Sequence, residues 1–273
     1  MFNVQDAIKS GIKNINEKYL IPSFFMKVII NEYKDGNDNN VVILCDKILY
    51  DNKKFYVEIV RGIRYWLCSS LCRLHNERFF QEINYFSGYS DYFLRGFYNR
   101  HAKQYLEAEK YYQLALDEKQ RDKEYTAKAK HEMVIVKMKL GKYGDALKLA
   151  EDNYNHQKAN TYHIESYFRC LVRSRKPNKY ILKHLIEELK DSYDVKKDII
   201  VSTLEAEYKF FIDGDFPEAV KDLRELIDSN PKYRYYPFKT LDEICKKRDA
   251  IEMTHDLREM YRKDIDEEPD EAV

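Results

Sequence analysis

The sequence predicts an all-α protein, a right-handed α-solenoid of about six antiparallel helix pairs. A pattern of small and aromatic residues recurs along the chain, and apolar residues follow three-to-four spacing through most of it. The 273 residues include only 8 Gly and 6 Pro, which is too few for the frequent turns of an all-β sandwich. Together these observations favour stacked helix pairs.

The recurring pattern describes two antiparallel helices, a turn between them, and small residues on the second helix that let its neighbour approach closely. Its three copies are Gly96-x8-Tyr105-x2-Ala108-x3-Tyr112-x2-Ala115, Gly141-x-Tyr143-x2-Ala146-x3-Ala150, and Gly214-x-Phe216-x2-Ala219-x3-Leu223-x2-Leu226, closed by Pro231. Ala108 and Ala146 are about 38 residues apart, and Ala219 follows roughly two periods later. The spacing therefore predicts a degenerate copy in between, and residues 161–190 have a helical pattern that fits it.

Before the clear copies, the chain already alternates predicted helices and turns. An isoleucine stripe from Ile8 to Ile15 indicates an amphipathic first helix. Pro22 ends that run, and Ser23 is a suitable cap for a helix through Tyr33. Two further helices are predicted over residues 41–49 and 59–74, with turns at residues 35–36, 51–52 and 76.

The later elements are predicted as helix pairs. They cover residues 92–100 with 105–117, 126–140 with 143–154, 161–175 with 180–190, and, after Pro231 and Pro237, 239–247 with 250–263. Residues 264–273 are acidic and poor in apolar side chains, which predicts a disordered acidic tail.

The repeated positions carry a family resemblance. They are Tyr92, Gly96, Tyr105, Ala108, Tyr112 and Ala115, then Met133, Gly141, Tyr143 and Ala146, then Ala206, Phe210, Gly214, Phe216, Ala219, Leu226 and Pro231. At these positions the chain resembles the tetratricopeptide repeat family, although Lys103 stands where the turn glycine of the first copy is expected. The resemblance implies a single repeat domain over residues 1–263. It is clearest over residues 89–125, 127–160 and 200–233, with degenerate repeats elsewhere.

The family resemblance also implies a place for a binding site, because the first helices of successive pairs line the concave face of a tetratricopeptide stack. Helical spacing places aromatic, aliphatic and basic residues there, which suits a groove for a peptide or helix of a protein partner. These residues are Phe93, Phe97, Arg100, His101, His131, Ile135, Met138, Lys139, Leu204, Tyr208 and Phe211. In the alternative interpretation, some of the aromatic residues belong to the core or bind an additional capping helix of the same chain.

A second candidate surface is a basic stretch, since residues 166–186 contain no acidic residue. The basic residues are Arg169, Arg173, Arg175, Lys176 and Lys179. They predict a patch for an acidic partner, with binding that weakens as salt increases. The alternative is a solvated helix end, where basic side chains complement the helix C-terminus.

Other features exclude several protein classes. The balanced charge, 47 basic against 47 acidic residues, argues against a general nucleic-acid or membrane surface. No apolar stretch approaches the roughly 18 residues that cross a bilayer. Five cysteines inside apolar helical runs indicate reduced core thiols in a cytoplasmic protein. Cys68, Cys72 and His75 share a helix face, but closed zinc sites usually take ligand pairs from separated segments, so we interpret the cysteines as packing residues.

No phosphate-binding loop or nucleophile-elbow motif occurs, so we expect a protein that is not an enzyme and uses no cofactor or metal. The sequence therefore predicts an adaptor or scaffold that binds a protein or peptide partner. The segment 46–112 also resembles, more loosely, helical-repeat arms of nucleotide-binding signalling or defence proteins. The alternative function is accordingly a sensor or regulatory repeat domain of such a system, as a fragment of a longer chain. The oligomeric state stays open.

Overall fold

The computed structural model describes residues 21–51, 57–118, 123–158, 160–191, 197–231 and 233–261. The predicted N-terminal helix and the predicted acidic tail lie outside these residues. Within them every regular element is a helix, and strands are absent from this part of the chain. The predicted all-α class, built from antiparallel helix pairs, is therefore confirmed.

The helices form two compact units, which divide between residues 120 and 121. The first unit contains α1 (Ile21–Lys34), α2 (Asp38–Asp51), α3 (Val57–Arg73), the short α4 (Phe79–Glu82), a 3₁₀ turn (Ile83–Tyr85), α5 (Tyr89–His101) and α6 (Tyr105–Asp117). Helix α3 contacts both α1 and α5, and α5 pairs with α6. The single repeat domain over residues 1–263 stays a prediction.

The second unit begins with α7 (Lys123–Lys139), α8 (Tyr143–His156), α9 (Thr161–Val172), α10 (Lys179–Lys190) and α11 (Lys197–Tyr208), which continues as a π-helical turn (Lys209–Asp213). It ends with α12 (Phe216–Ser229), α13 (Tyr235–Lys247), a 3₁₀ turn (Ile251–Thr254) and the short α14 (His255–Met260). Each helix packs against the next one along the chain from α7 to α13. In addition, α9 contacts α7 and α11, and α11 contacts α13.

The small residues of the repeat allow close helix approach. A Cβ atom added at Gly96 would lie 2.7 Å from two ring carbons of Tyr112, so the aromatic ring on α6 occupies the space that a side chain on α5 would need. Ala108 and Ala115 on α6 are both fully buried. The first copy of the pattern therefore encodes the α5–α6 contact directly.

The turns follow the same pattern. Gly141 has a φ of 73° and Gly214 a φ of 75°, in the left-handed region that glycine adopts without steric cost. Lys103 occupies the equivalent turn of the first copy and has a φ of 59°. The turn geometry is therefore kept even where the expected glycine is replaced by lysine.

Several helix ends differ from the predictions. Pro22 is the second residue of α1 and Pro237 the third residue of α13, because proline fits the first turn of a helix, whose N–H groups have no partner within the helix. The predicted helix over residues 250–263 is replaced by the 3₁₀ turn and α14 as far as the described residues extend. Asn160 and Asn178 cap α9 and α10 by accepting hydrogen bonds from backbone N–H groups.

All five cysteines are buried and none forms a disulfide, as the sequence predicts. Burial raises the pKa of the Cys170 thiol to about 12, and it also raises the pKa of the Cys45, Cys68 and Cys245 thiols. These side chains belong to the apolar cores of the two units. They act as small hydrophobic residues in the packing.

In the first unit, ion pairs around the buried acid Glu82 connect α2, α3 and α4. Glu82 on α4 is 4% exposed and forms ion pairs with Arg64 of α3 and, at 3.0 Å, with Arg78. Arg78 also donates hydrogen bonds of 2.7 and 2.5 Å to the carboxylate of Asp46 on α2. Because Glu82 has cationic partners on both sides, its burial is compatible with a stable fold.

Candidate functional site

The candidate site of the second unit lies on α7, α9, α11 and α13, which we call the first-helix layer. These are the first helices of successive pairs, and they contact one another in the order α7–α9–α11–α13. Side chains at these contacts come from segments far apart in the sequence. The layer is therefore the place where distant polar residues meet.

A group of charged residues, the Arg–Glu cluster, crosses this layer. Its members are Glu165 and Arg169 on α9, Arg173 directly after the end of α9, Glu207 on α11, and Thr240 and Glu243 on α13. Arg173 donates a hydrogen bond of 2.6 Å to Glu207 and two bonds, of 3.0 and 2.8 Å, to the carboxylate of Glu243. A single guanidinium group thus connects three helices of the layer. Two parallel bonds to one carboxylate are a strong and directional arrangement.

The second arginine of the cluster, Arg169, also lies close to Glu207. Arg169 lies 3.1 Å from Glu165 and 3.4 Å from Glu207, and its guanidinium group sits 5.0 Å from the ring centre of Tyr236. Thr240 donates a further hydrogen bond of 3.1 Å to Glu207. Glu207 is fully buried, so these partners replace the water that its charge has lost.

Glu243 marks the solvent side of the cluster. The side chain of Glu243 is 37% exposed, whereas that of Arg173 is 4% exposed. Partial burial opposes ionisation of Glu243, but the hydrogen bonds and the charge of Arg173 outweigh it, so the pKa of Glu243 is lowered. The carboxylate is consequently charged at neutral pH and held in a fixed position.

A histidine pair lies at the α7–α9 end of the layer. The ring centres of His131 and His163 are 6.1 Å apart, and His131 Nδ1 is 3.2 Å from Ser166 Oγ. The ring of half-buried Tyr162 stands 6.4 Å from His131. His163 is 5% exposed, and burial together with the nearby His131 lowers its pKa to about 4, against a smaller opposing effect of a hydrogen bond with the Asn153 backbone.

The depressed pKa of His163 predicts acid sensitivity of the second unit. The unfolded chain binds a proton near pH 6.5 and the folded chain only near pH 4, so stability falls as the pH drops between these values. We expect His163 to account for a loss of roughly 2–3 kcal/mol across this window. Urea unfolding at pH 7 and at pH 4.5 measures it. His163→Gln should reduce the pH dependence of the unfolding free energy. An unchanged pH dependence in this variant would contradict the assignment.

Several predicted groove residues lie on or near this layer. Tyr208 and Phe211 are half-buried at the end of α11 and in the π-helical turn, with Arg173 over the ring of Phe211 at 4.7 Å. On α7, Ile135 and Met138 are half-buried and Lys139 is exposed. The structure thus offers partly accessible aromatic and apolar side chains beside charged and hydrogen-bonding groups.

Other predicted groove residues are packed inside the units. Leu204 is fully buried in the second unit, and Phe93 and Phe97 of the first unit are 2% and 3% exposed. The two phenylalanines stack with ring centres 6.3 Å apart, while half-buried Arg100 covers Phe97 at 5.0 Å. His101 also contacts the Phe97 ring, at 4.6 Å. The core interpretation therefore applies to Leu204, Phe93 and Phe97, because their side chains have little surface left for a partner.

The predicted basic patch divides in the same way. Arg169 and Arg173 point into the Arg–Glu cluster, while Arg175, Lys176 and Lys179 are exposed. The acids that pair with the two arginines were not found from the sequence, because Glu207 and Glu243 lie 34 and 70 residues from Arg173. Glu165, four residues before Arg169, is the one acidic partner that helical spacing in the sequence indicates.

The described residues were also compared with the requirements of a metal site and of a membrane span. The described part of the chain contains no group of three or more His, Cys, Asp or Glu side chains arranged to hold a metal ion. Among the helices described, none has both the length and the apolar character that a membrane span requires.

The comparisons with known proteins support the fold. No protein-family model matches the sequence, and no curated protein matches it. Among solved structures, the chain is similar to the apo form of RapI, with a TM-score of 0.50 and 13% identity over 91% of this chain and 76% of RapI. At this identity the similarity concerns the fold alone. The chain accordingly has a helical-repeat fold, in agreement with the predicted α-solenoid.

Proposed function

We propose that the protein is a non-enzymatic interaction module of the tetratricopeptide repeat type. Its first-helix layer binds a peptide or helix of a protein partner and so serves as an adaptor, without cofactor, in the cytoplasm. The main support is the combination of half-buried Tyr162, Tyr208 and Phe211 with the hydrogen-bonding groups of the same layer. Aromatic side chains provide contact area, and fixed polar groups orient a bound segment.

The Arg–Glu cluster contributes to this function by holding the layer rigid. Its ion pairs join α9, α11 and α13 and so restrain the helices that carry Tyr162 and Tyr208. A surface that is already ordered loses less conformational entropy when it binds. A peptide groove supported by buried ion pairs is therefore better organised for binding than the same side chains on loops.

Selection from a displayed library of random peptides, using the intact chain as bait, tests the proposal. We expect selected peptides to bind the Tyr162→Ala, Tyr208→Ala double variant at least about tenfold more weakly than the native chain. Tyr180→Ala is the matched control, because Tyr180 is 90% exposed and lies on α10, outside the first-helix layer. It should bind with native affinity.

Circular dichroism should show equal helicity in the native chain and the variants. If no peptide is enriched, or if enriched peptides bind the double variant as tightly as the native chain, the first-helix layer of the second unit is not a peptide site.

A further inference from the structure

Four cations lie at the turn between α9 and α10, and we call them the basic turn. They are Arg175 and Lys176 in the turn itself, and Lys179 and Lys183 in the first two turns of α10. All four are exposed, and within the described residues none of them has an ion pair or a side-chain hydrogen bond. Lys176 and Lys179 are three residues apart in the chain, so their Cα atoms are separated by at most about 11 Å. The basic turn is therefore a compact patch of positive charge.

The acids nearest to the basic turn are bonded to other residues. Residues 166–186 contain no acidic residue at all. Glu187, the first acid that follows them, lies 3.0 Å from Lys190. Glu243 accepts hydrogen bonds of 3.0 and 2.8 Å from Arg173. Neither carboxylate forms an ion pair with the basic turn, so the charge of the four cations is available to a ligand.

The stability of α10 does not account for the two lysines at its start. Positive charge is unfavourable at a helix N-terminus, and Lys179 is the first residue of α10. Lys183 follows four residues later, a spacing at which like charges repel each other. Helices α7 and α11 also begin with lysine, but Glu124 and Asp198 follow there directly, whereas the first turn of α10 contains no acidic residue. Charges that oppose helix stability are expected where a function uses them.

The spacing of these lysines fits an extended acidic peptide. Lys179 and Lys183 are about 6 Å apart along the axis of α10, since an α-helix rises about 1.5 Å per residue. In an extended peptide, side chains two residues apart point the same way and are about 7 Å apart. Carboxylates at alternate positions of such a peptide can therefore meet both lysines at once.

A nucleic acid fits the basic turn less well. Single strands bind along grooves that carry positive charge over several nucleotides. The next exposed lysine of α10 is Lys190, and its charge is already paired with Glu187, so the row of available cations ends at Lys183. The whole chain also lacks a basic excess, with 47 basic and 47 acidic residues.

We propose that the basic turn binds an extended acidic segment of a partner protein, in which Asp or Glu alternates with other residues. Each exposed ion pair is weak, so the affinity comes from several pairs together and decreases as salt increases. This surface is separate from the proposed peptide site, because it lies at the α9–α10 turn rather than on the first-helix layer. The two sites can therefore be tested independently.

A fluorescent peptide in which Glu and Ser alternate serves as the probe, and anisotropy at low salt measures its binding to the full chain. We expect Lys176→Glu with Lys179→Glu to weaken binding of this probe at least about tenfold. This variant should melt at the native temperature or above it, because Glu at a helix start is favourable and attracts Lys183 four residues later. Arg175→Gln with Lys183→Gln, which adds no negative charge, should weaken binding at least about threefold.

The matched control carries the same change of charge elsewhere, as Lys27→Glu with Lys148→Glu, two exposed lysines outside the basic turn, and should bind the probe as the native chain does. The Tyr162→Ala, Tyr208→Ala double variant should also keep native affinity for the probe, which separates this surface from the first-helix layer. A peptide in which Gln replaces Glu should not bind.

Three results would overturn the proposal. The first is a native chain that does not bind the Glu–Ser peptide at low salt. The second is native affinity in both variants of the basic turn, or an equal loss of affinity in the Lys27→Glu, Lys148→Glu control. The third is tighter binding of single-stranded RNA than of the Glu–Ser peptide, with the RNA binding lost in the same variants, since the basic turn would then be a nucleic-acid site.

Discussion

Replacing Arg173 by Met should destabilise the second unit by about 3–5 kcal/mol. The substitution keeps an unbranched side chain, but it leaves fully buried Glu207 without its closest cationic partner and releases Glu243. A buried charge that loses its partner keeps the cost of desolvation without the compensating attraction. Urea unfolding followed by circular dichroism measures the change.

A second variant and a control separate the charge effect from lost packing. Adding Glu207→Gln to Arg173→Met should recover part of the stability, because the unpaired buried charge disappears. Arg95→Met is the matched control: Arg95 pairs with Asp91 at 2.8 Å within α5, where both side chains are half-buried but in contact with water, and its loss should cost about 1 kcal/mol or less. If Arg173→Met and Arg95→Met cost the same, the Arg–Glu cluster does not stabilise the layer.

The Ala108→Arg variant should lose on the order of 3–5 kcal/mol in the first unit, through overpacking and burial of an unpaired charge. Ala108 is fully buried on α6, in the helix pair where the Tyr112 ring already fills the space above Gly96. A guanidinium group and its long stem have no room at this contact. Thermal melting and hydrogen exchange of α5 and α6 measure the loss.

Leu106→Arg is the control for this variant. Leu106 lies two residues earlier on α6 and is 67% exposed, so the same new side chain reaches water there. We expect a change within about 0.5 kcal/mol. Equal melting of the two variants would show that the α5–α6 contact does not depend on the small residue at position 108.

The fold was predictable from the sequence because its determinants are local. Gly141 and Gly214 mark left-handed turns, and buried Ala108 and Ala146 mark close contacts, each within one repeat of its partner helix. Lys103 shows the limit of this reasoning, since it adopts the glycine conformation without being glycine. The start of α13 shows another, because Pro237 lies inside the first turn of the helix.

The candidate site was less predictable because its determinants are distant. Arg169 and Arg173 stand in a stretch without acidic residues, so the sequence alone indicated a surface patch. Glu207 and Glu243 reach them from α11 and α13, and only the contact between first helices brings these residues together. Burial of Phe93 and Phe97 was ambiguous for a related reason, since an aromatic on the inner face of a helix serves equally as core or as contact surface.

The burial of all five thiols has a practical consequence. Alkylating reagents attack the thiolate. All five cysteines are inaccessible, and burial raises the pKa of the Cys45, Cys68, Cys170 and Cys245 thiols, so the folded chain offers such reagents little to modify. One cysteine introduced at a fully accessible position, as in Tyr180→Cys, would then be the preferred point of attachment for a maleimide dye. The native background therefore already permits single-site labelling, and a distance or polarity reporter can follow the α9–α10 turn in solution.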